Sequence, residues 1–239
     1  MNGGIFIHIL IVGQDPRYDY LYQELSKKYQ VTKSNDLNID LSIFDIIILP
    51  MKGIENIDLL KNTKDTCIIY TGINNININR KVISFLDDID IKNENNNITV
   101  DGIIDYIKNI NHDNICLLGY GNIGKKLYQR LKNNITSIGI IDILDKELLK
   151  DLAFYTFDSI MKEKLINSDL IINTVPHNII TINNAINLQT PILDIASYPY
   201  GVSEEIKDKL NYFLYSSIPG KYDPIRAGKI LLKKIRGER

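Results

Sequence analysis

Three glycines at 119, 121 and 124, in the stretch Leu117-Leu118-Gly119-Tyr120-Gly121-Asn122-Ile123-Gly124, have the spacing with which bare backbone can hold a diphosphate. Gly119 permits a tight turn, Gly121 lets the backbone approach a ligand, and Gly124 lets the next helix pack close to the strand before it. The diphosphate then lies at a helix N-terminus, where free N–H groups and the helix dipole favour an anion. Gly119, Tyr120, Gly121, Asn122, Ile123 and Gly124 are therefore candidate cofactor contacts. Asp142 ends the next apolar run, about twenty residues further on, where a carboxylate accepts from the ribose hydroxyls of NAD and repels the 2′-phosphate of NADP. Its other reading is a cap for the helix that follows. Asn173-Thr174-Val175-Pro176 and Asp194-Ile195-Ala196-Ser197 close two later strand runs. Such ends lie where the nicotinamide half rests, which adds Thr174, Val175, Pro176 and Ser197 to the cofactor set. His177 is either a proton-transfer residue or plain polar surface.

The elements that must position these residues alternate along the whole chain. In the first half, strand-length apolar runs occur at 8–13, 44–50, 66–72 and 82–86, with a weaker one at 31–34, and residues 18–28 have a helical pattern. The most polar stretch, 92–98, reads as a linker, and Thr99 as the N-cap of a helix with Asp101 and Gly102 in its first turn. In the second half, strand runs lie at 114–119, 137–142, 154–157, 169–175, 191–196 and 212–216, a helix is expected at 125–133, and a last helix starts near Pro224. Continuous apolar strands separated by helices imply parallel sheets. The expectation is an α/β chain of two domains. A smaller flavodoxin-like domain at 1–110 precedes a doubly wound Rossmann domain at 111–223, the helix at 224–239 returns to the first domain, and a ligand cleft separates the two.

Composition bounds the partners. The 239 residues carry a net charge of −1 with 44% hydrophobic residues, ordinary for a soluble globular protein and unlike a nucleic-acid binder. Cys67 and Cys116 sit in apolar runs and form no C-x-x-C pair, so buried thiols are expected and a cysteine-rich metal site is not; no metal is expected. The apolar runs are too short to span a membrane and no signal-peptide pattern is present, which makes the cytoplasm the expected location.

Taken in order, the motifs resemble the A subunit of dipicolinate synthase, an enzyme of bacterial endospore formation. They are Gly13-Gln14-Asp15-Pro16-Arg17, Ile48-Leu49-Pro50, Thr71-Gly72-Ile73-Asn74, Thr99-Val100-Asp101-Gly102, the glycine triplet, Asn173-Thr174-Val175-Pro176, Asp194 to Gly201, and Pro219-Gly220 followed by Pro224-x-Arg226-Ala227-Gly228. The last two sets are the specific ones, since generic dehydrogenases do not share them.

The resemblance implies oxidation of a dihydrodipicolinate to pyridine-2,6-dicarboxylate with NADP as hydride acceptor, and a flavoprotein-like B subunit as partner. It also implies a fold like that of formate/glycerate dehydrogenase. The chain departs from the family in being shorter, mainly around residues 51–60 and at its ends, and in three motifs: Tyr200 stands where the family has a glycine, Ile141-Asp142 where it has an Arg-Ser pair suited to a phosphate, and Arg226 where it has a lysine, which keeps the charge. The cofactor is thus NADP or NAD. A dicarboxylate substrate needs cationic forks or N–H donors. Arg17 and Arg226 are the candidate forks, with Thr99, Ser197, Gly201 and Gly220 as further substrate contacts. Asp15, Asp101 and His177 are the candidate proton acceptors. Other readings are a reductase of a small 2-oxo or imino acid, and a nucleotide-binding subunit whose chemistry lies in another chain. A homo-oligomer is compatible with either.

Overall fold

The computed structural model describes residues 7–73, 76–110, 112–135, 137–141, 154–155, 167–185 and 187–238. By its own contacts the chain divides into two units, Met1–Ile98 with Pro219–Arg239, and Thr99–Ile218.

The first unit contains β1 (His8–Val12), β2 (Gln30–Ser34), β3 (Ile46–Ile48), β4 (Ile68–Thr71) and β5 (Lys81–Ser84), all parallel, in the order β2-β1-β3-β4-β5. That is the flavodoxin-like order, with its switch point between β1 and β3. Successive residues of β1 serve opposite faces. Ile9 and Ile11 join one apolar cluster, and Leu10 and Val12 the other. Helix α1 (Pro16–Leu25) starts where proline fixes the first turn and the Asp15 carboxylate accepts from the Arg17 amide at 3.0 Å. Its buried Tyr18, Leu21 and Leu25 recur at helical spacing.

Helix α2 (Ile89–Ile107) corrects the expected linker. Residues 92–98 are helical, capped upstream by Asp88, whose carboxylate accepts from the amides of Asp90 at 3.0 Å and Ile91 at 3.3 Å. Composition misled because the stretch is rich in asparagine, although only Lys92 and Asn93 are exposed and Asn96 is buried. Ile91, Ile98, Ile103 and Ile107 bury the inner stripe, while Asn97 bonds Glu94 at 3.1 Å within the helix. Thr99 and Asp101 consequently lie inside a helix rather than at its start, and they belong to the second unit.

The second unit's sheet holds β6 (Asn114–Leu118), β7 (Ser137–Ile141), β8 (Phe154–Tyr155), β9 (Leu170–Asn173), β10 (Ile192–Asp194) and β11 (Tyr212–Leu214), all parallel, in the order β11-β10-β9-β6-β7-β8. Counted from β6 outward both ways, this is the dinucleotide-binding order, with its switch point between β6 and β9. Ile115 and Leu117 pack with Val100, Ile103 and Ile107 of α2, and Cys116 and Leu118 with Ile171 and Ile192 on the other face. Helix α3 (Asn122–Leu131) opens at the glycine turn itself, three residues before the expected start at 125. Short helices α4 (Ile182–Ala185) and α5 (Ile218–Tyr222) follow.

Helix α6 (Pro224–Arg236) begins like α1, with a proline in its first turn and the Asp223 carboxylate on the Arg226 amide at 3.0 Å; it ends at Gly237 in the left-handed conformation, φ 67°. It packs on α1 within the first unit. Leu231 and Leu232 join Tyr18, Leu21 and Leu25, and a Cβ on Gly228 would stand 2.8 Å from Cδ1 of Tyr20. Cys67 and Cys116 are buried, and burial pushes the Cys67 thiol up to about 11.

Candidate functional site

Each of the three glycines meets a different local demand. Gly119 has φ 91°, and a Cβ there would overlap Oγ1 of Thr174 and come within 2.8 Å of Cγ2 of Val175. A Cβ on Gly124 would overlap the carbonyl oxygen of Gly119, so helix and turn meet at backbone distance. Gly121 is the opposite case: nothing lies within 4 Å of where its Cβ would be. Packing therefore explains two glycines and not the middle one. Gly121 is also the N-cap of the ten-residue α3 and provides no side-chain cap. A helix start without a side-chain cap, beside the open space at Gly121, fits a diphosphate. Asn122 is exposed and Ile123 half-buried. The Tyr120 ring is buried at 7% exposure, edge-on to Tyr128, with the Lys125 ammonium 5.8 Å from its centroid; burial raises its phenol pKa. Asp142 lies outside the described residues.

Across the switch point the end of β9 is tied to the end of β6. The Thr174 hydroxyl donates to the Leu118 carbonyl at 2.9 Å, and the Thr174 amide donates to the same oxygen at 2.9 Å. Val175 is half-buried, whereas Pro176 and His177 are exposed. Beside them lies a polar frame that motif reading left out of the site. Asn173 and Asp194 are opposite each other in the β9–β10 register, and both are fully buried. The Asp194 carboxylate accepts from Asn173 Nδ2 at 2.8 Å, the Ala196 amide at 3.1 Å, the Gly201 amide at 2.7 Å and the Tyr212 hydroxyl at 3.2 Å. Burial first, then the Asp194 charge and hydrogen bond, push the Tyr212 phenol well above its ordinary range. Asn173 also donates to the Val175 carbonyl at 3.0 Å and accepts from the Val175 amide at 3.1 Å. The available signal was a polar residue closing each of two fully apolar strands.

The Ser197–Tyr200 turn hangs from this frame. The Tyr200 amide donates to the Ser197 carbonyl at 2.9 Å, Ser197 is exposed, and Tyr198 is 81% exposed. Tyr200 has φ 66°, a conformation in which glycine would be unstrained. A Cβ on Gly201 would overlap the Asn173 amide group, so that glycine is fixed by packing.

In the first unit Arg17 is buried in the first turn of α1, 5% exposed, and both its Nε and Nη2 donate to Asp15, at 2.7 and 2.5 Å. Gly220 closes over this pair. A Cβ there would stand 3.0 Å from Oδ1 of Asp15 and 3.3 Å from Nε of Arg17. Arg226 donates from Nε to Glu94 at 2.5 Å. Thus Asp15, Arg17 and Gly220 form one cluster and Arg226 belongs to another. Thr99 is buried in α2, and the Asp101 carboxylate pairs with Arg130 of α3. Among the described residues no group of three or more His, Cys, Asp or Glu could hold a metal ion, and no helix is long and apolar enough to cross a membrane.

The chain is similar over 97% of its length to the A subunit of dipicolinate synthase from Bacillus halodurans, with 22% identity, 97% of that chain covered and a TM-score of 0.76. The corresponding polypeptide of dipicolinate synthase from Bacillus subtilis matches 97% of this chain and 95% of its own at 22% identity and a TM-score of 0.72. D-Lactate dehydrogenase from Escherichia coli matches 98% of both chains at 12% identity and a TM-score of 0.63. No protein-family model matches the chain, and no curated protein does. The likeness shows a shared fold, the two-sheet α/β architecture of these dehydrogenases.

Proposed function

We propose that this chain is the nucleotide-binding oxidoreductase subunit of a dipicolinate synthase, oxidising a dihydrodipicolinate to pyridine-2,6-dicarboxylate in the cytoplasm of a spore-forming cell. The observation that carries the reading is the open face at Gly121 beneath an uncapped helix N-terminus, in a fold shared end to end with the A subunits of two dipicolinate synthases. NADP or NAD, when bound, accepts the hydride that leaves the substrate ring. Residues 119–124 hold the diphosphate through backbone amides, and Asp142 selects at the ribose. Thr174, Val175, Pro176 and Ser197 border the nicotinamide half and exclude water from it. Arg17 and Arg226 are the carboxylate-binding candidates, aided by Thr99, Gly201 and Gly220, and a proton from the ring passes to Asp15, Asp101 or His177 as it becomes aromatic. A flavoprotein-like B subunit is its partner, and in this reading the oxidation itself is carried out by this chain.

A second reading has its own support. Asp15 and Asp101 are both engaged by arginines, and His177 is exposed. A chain that binds the nucleotide while a partner supplies the acid–base group fits that arrangement.

The deciding experiment follows dipicolinate by its ultraviolet absorbance from enzymatically made dihydrodipicolinate, with NAD or NADP, and with or without a B subunit. Product from the chain alone supports the first reading, and product only with the B subunit supports the second. Turnover of pyruvate or glyoxylate with no dipicolinate would replace both by a 2-oxo acid reductase.

A further inference from the structure

The buried Asp194 carboxylate gathers four donors from four places in the chain: Asn173 at the end of β9, Ala196 and Gly201 on either side of the Ser197–Tyr200 turn, and Tyr212 at the start of β11. The end of β9, the turn that follows β10 and the start of β11 are thereby fixed to a single group. A buried carboxylate lacking such donors would be costly, and one with four of them holds its surroundings to a single geometry. Asn173 extends the frame to Val175 through both its oxygen and its nitrogen. The parts so fixed belong to the second half of the doubly wound sheet, whereas the glycine turn belongs to the first.

We infer that Asp194 is a positioning residue for the nicotinamide half of the cofactor, acting through Asn173, Gly201 and Tyr212 and making no contact with the diphosphate half. The inference rests on the nucleotide reading above and adds a residue that reading does not use. Its consequence is a division of labour within one sheet. Residues 119–124 determine whether a nucleotide binds, and the Asp194 frame determines how its ring is held.

The test compares two ligand pairs by titration calorimetry on the full chain: NADPH against 2′-phospho-ADP-ribose, and NADH against ADP-ribose. In Asp194→Asn the amide presents donors to donors. Affinity for the whole dinucleotide falls about tenfold or more, while affinity for the fragment lacking nicotinamide stays within about twofold. Tyr212→Phe removes one donor and keeps the ring, and it gives a smaller selective loss of about threefold, which keeps the test decisive should the asparagine variant fail to fold. A purely structural role lowers the melting temperature and weakens both ligands of a pair alike, and that result would overturn the inference. If the unaltered chain binds fragment and dinucleotide equally, the inference fails and the diphosphate site stands. If it binds neither, the nucleotide reading falls and the inference with it.

Discussion

The hydroxyl and the amide of Thr174 both donate to the carbonyl oxygen of Leu118, each at 2.9 Å, so the ends of β9 and β6 are joined at the switch point of the second sheet. That carbonyl immediately precedes Gly119, and the tie fixes where the glycine turn leaves the strand. Thr174→Val keeps the shape and removes the hydroxyl. It is expected to cost about 1 kcal/mol of stability in urea unfolding and to weaken NADPH or NADH binding several-fold. Unchanged affinity would detach Thr174 from the site.

Gly121 and Gly124 should separate ligand binding from packing. In Gly124→Ala the new methyl overlaps the Gly119 carbonyl, so stability falls by about 2 kcal/mol and nucleotide binding is lost with it. In Gly121→Ala the methyl enters open space, stability stays within about 0.5 kcal/mol, and affinity still falls about tenfold or more. Thermal melts with calorimetric titration of both variants measure the contrast.

Asp15 has two duties, capping α1 and neutralising a buried guanidinium. Asp15→Ala removes both and should destabilise the chain by about 3 kcal/mol, read from urea unfolding. Asp15→Asn keeps much of the cap and costs less. If dipicolinate formation survives in the folded Asp15→Asn variant, Asp15 is a structural partner of Arg17 and not the proton acceptor.

Asp88 caps α2 and accepts from Lys234 of α6 at 2.6 Å, and that hydrogen bond, more than the cap's amides, lowers its carboxyl pKa. A depressed folded-state value means stability that is present above the ordinary carboxylate pKa, near about 4, and lost as pH falls through the lower folded value. Lys234→Met should therefore cost about 1 kcal/mol or less at pH 7, the pair being partly exposed, with the deficit vanishing in acid. A deficit that persists at pH 2 would assign it to packing.

Most strands were legible because they contain short apolar runs, and parallel pairing followed from the helices between them; β2, Gln-Val-Thr-Lys-Ser, is mostly polar and gave only a weak signal. The glycine turn was legible because its spacing is set by backbone geometry, which sequence records directly. Residues 92–98 look like a loop because four of the seven are asparagine, and the buried Ile91 and Ile98, two helical turns apart, are the helical signal that composition hides. The commitments of Asp15 to Arg17 and of Asp101 to Arg130 were illegible, since a carboxylate's partner depends on which elements the fold brings together. The Asp194 frame was half legible. Its residues stood in the motifs, but four donors converging on one oxygen pair is a property of three adjacent strand ends.

Crystals of the chain soaked with NADPH or NADH test the central claim most directly. The account predicts diphosphate oxygens at about 3 Å from the backbone amides of residues 121–124, over the open face of Gly121. A nucleotide seated elsewhere, with the turn left without ligand density at saturating concentration, would contradict it.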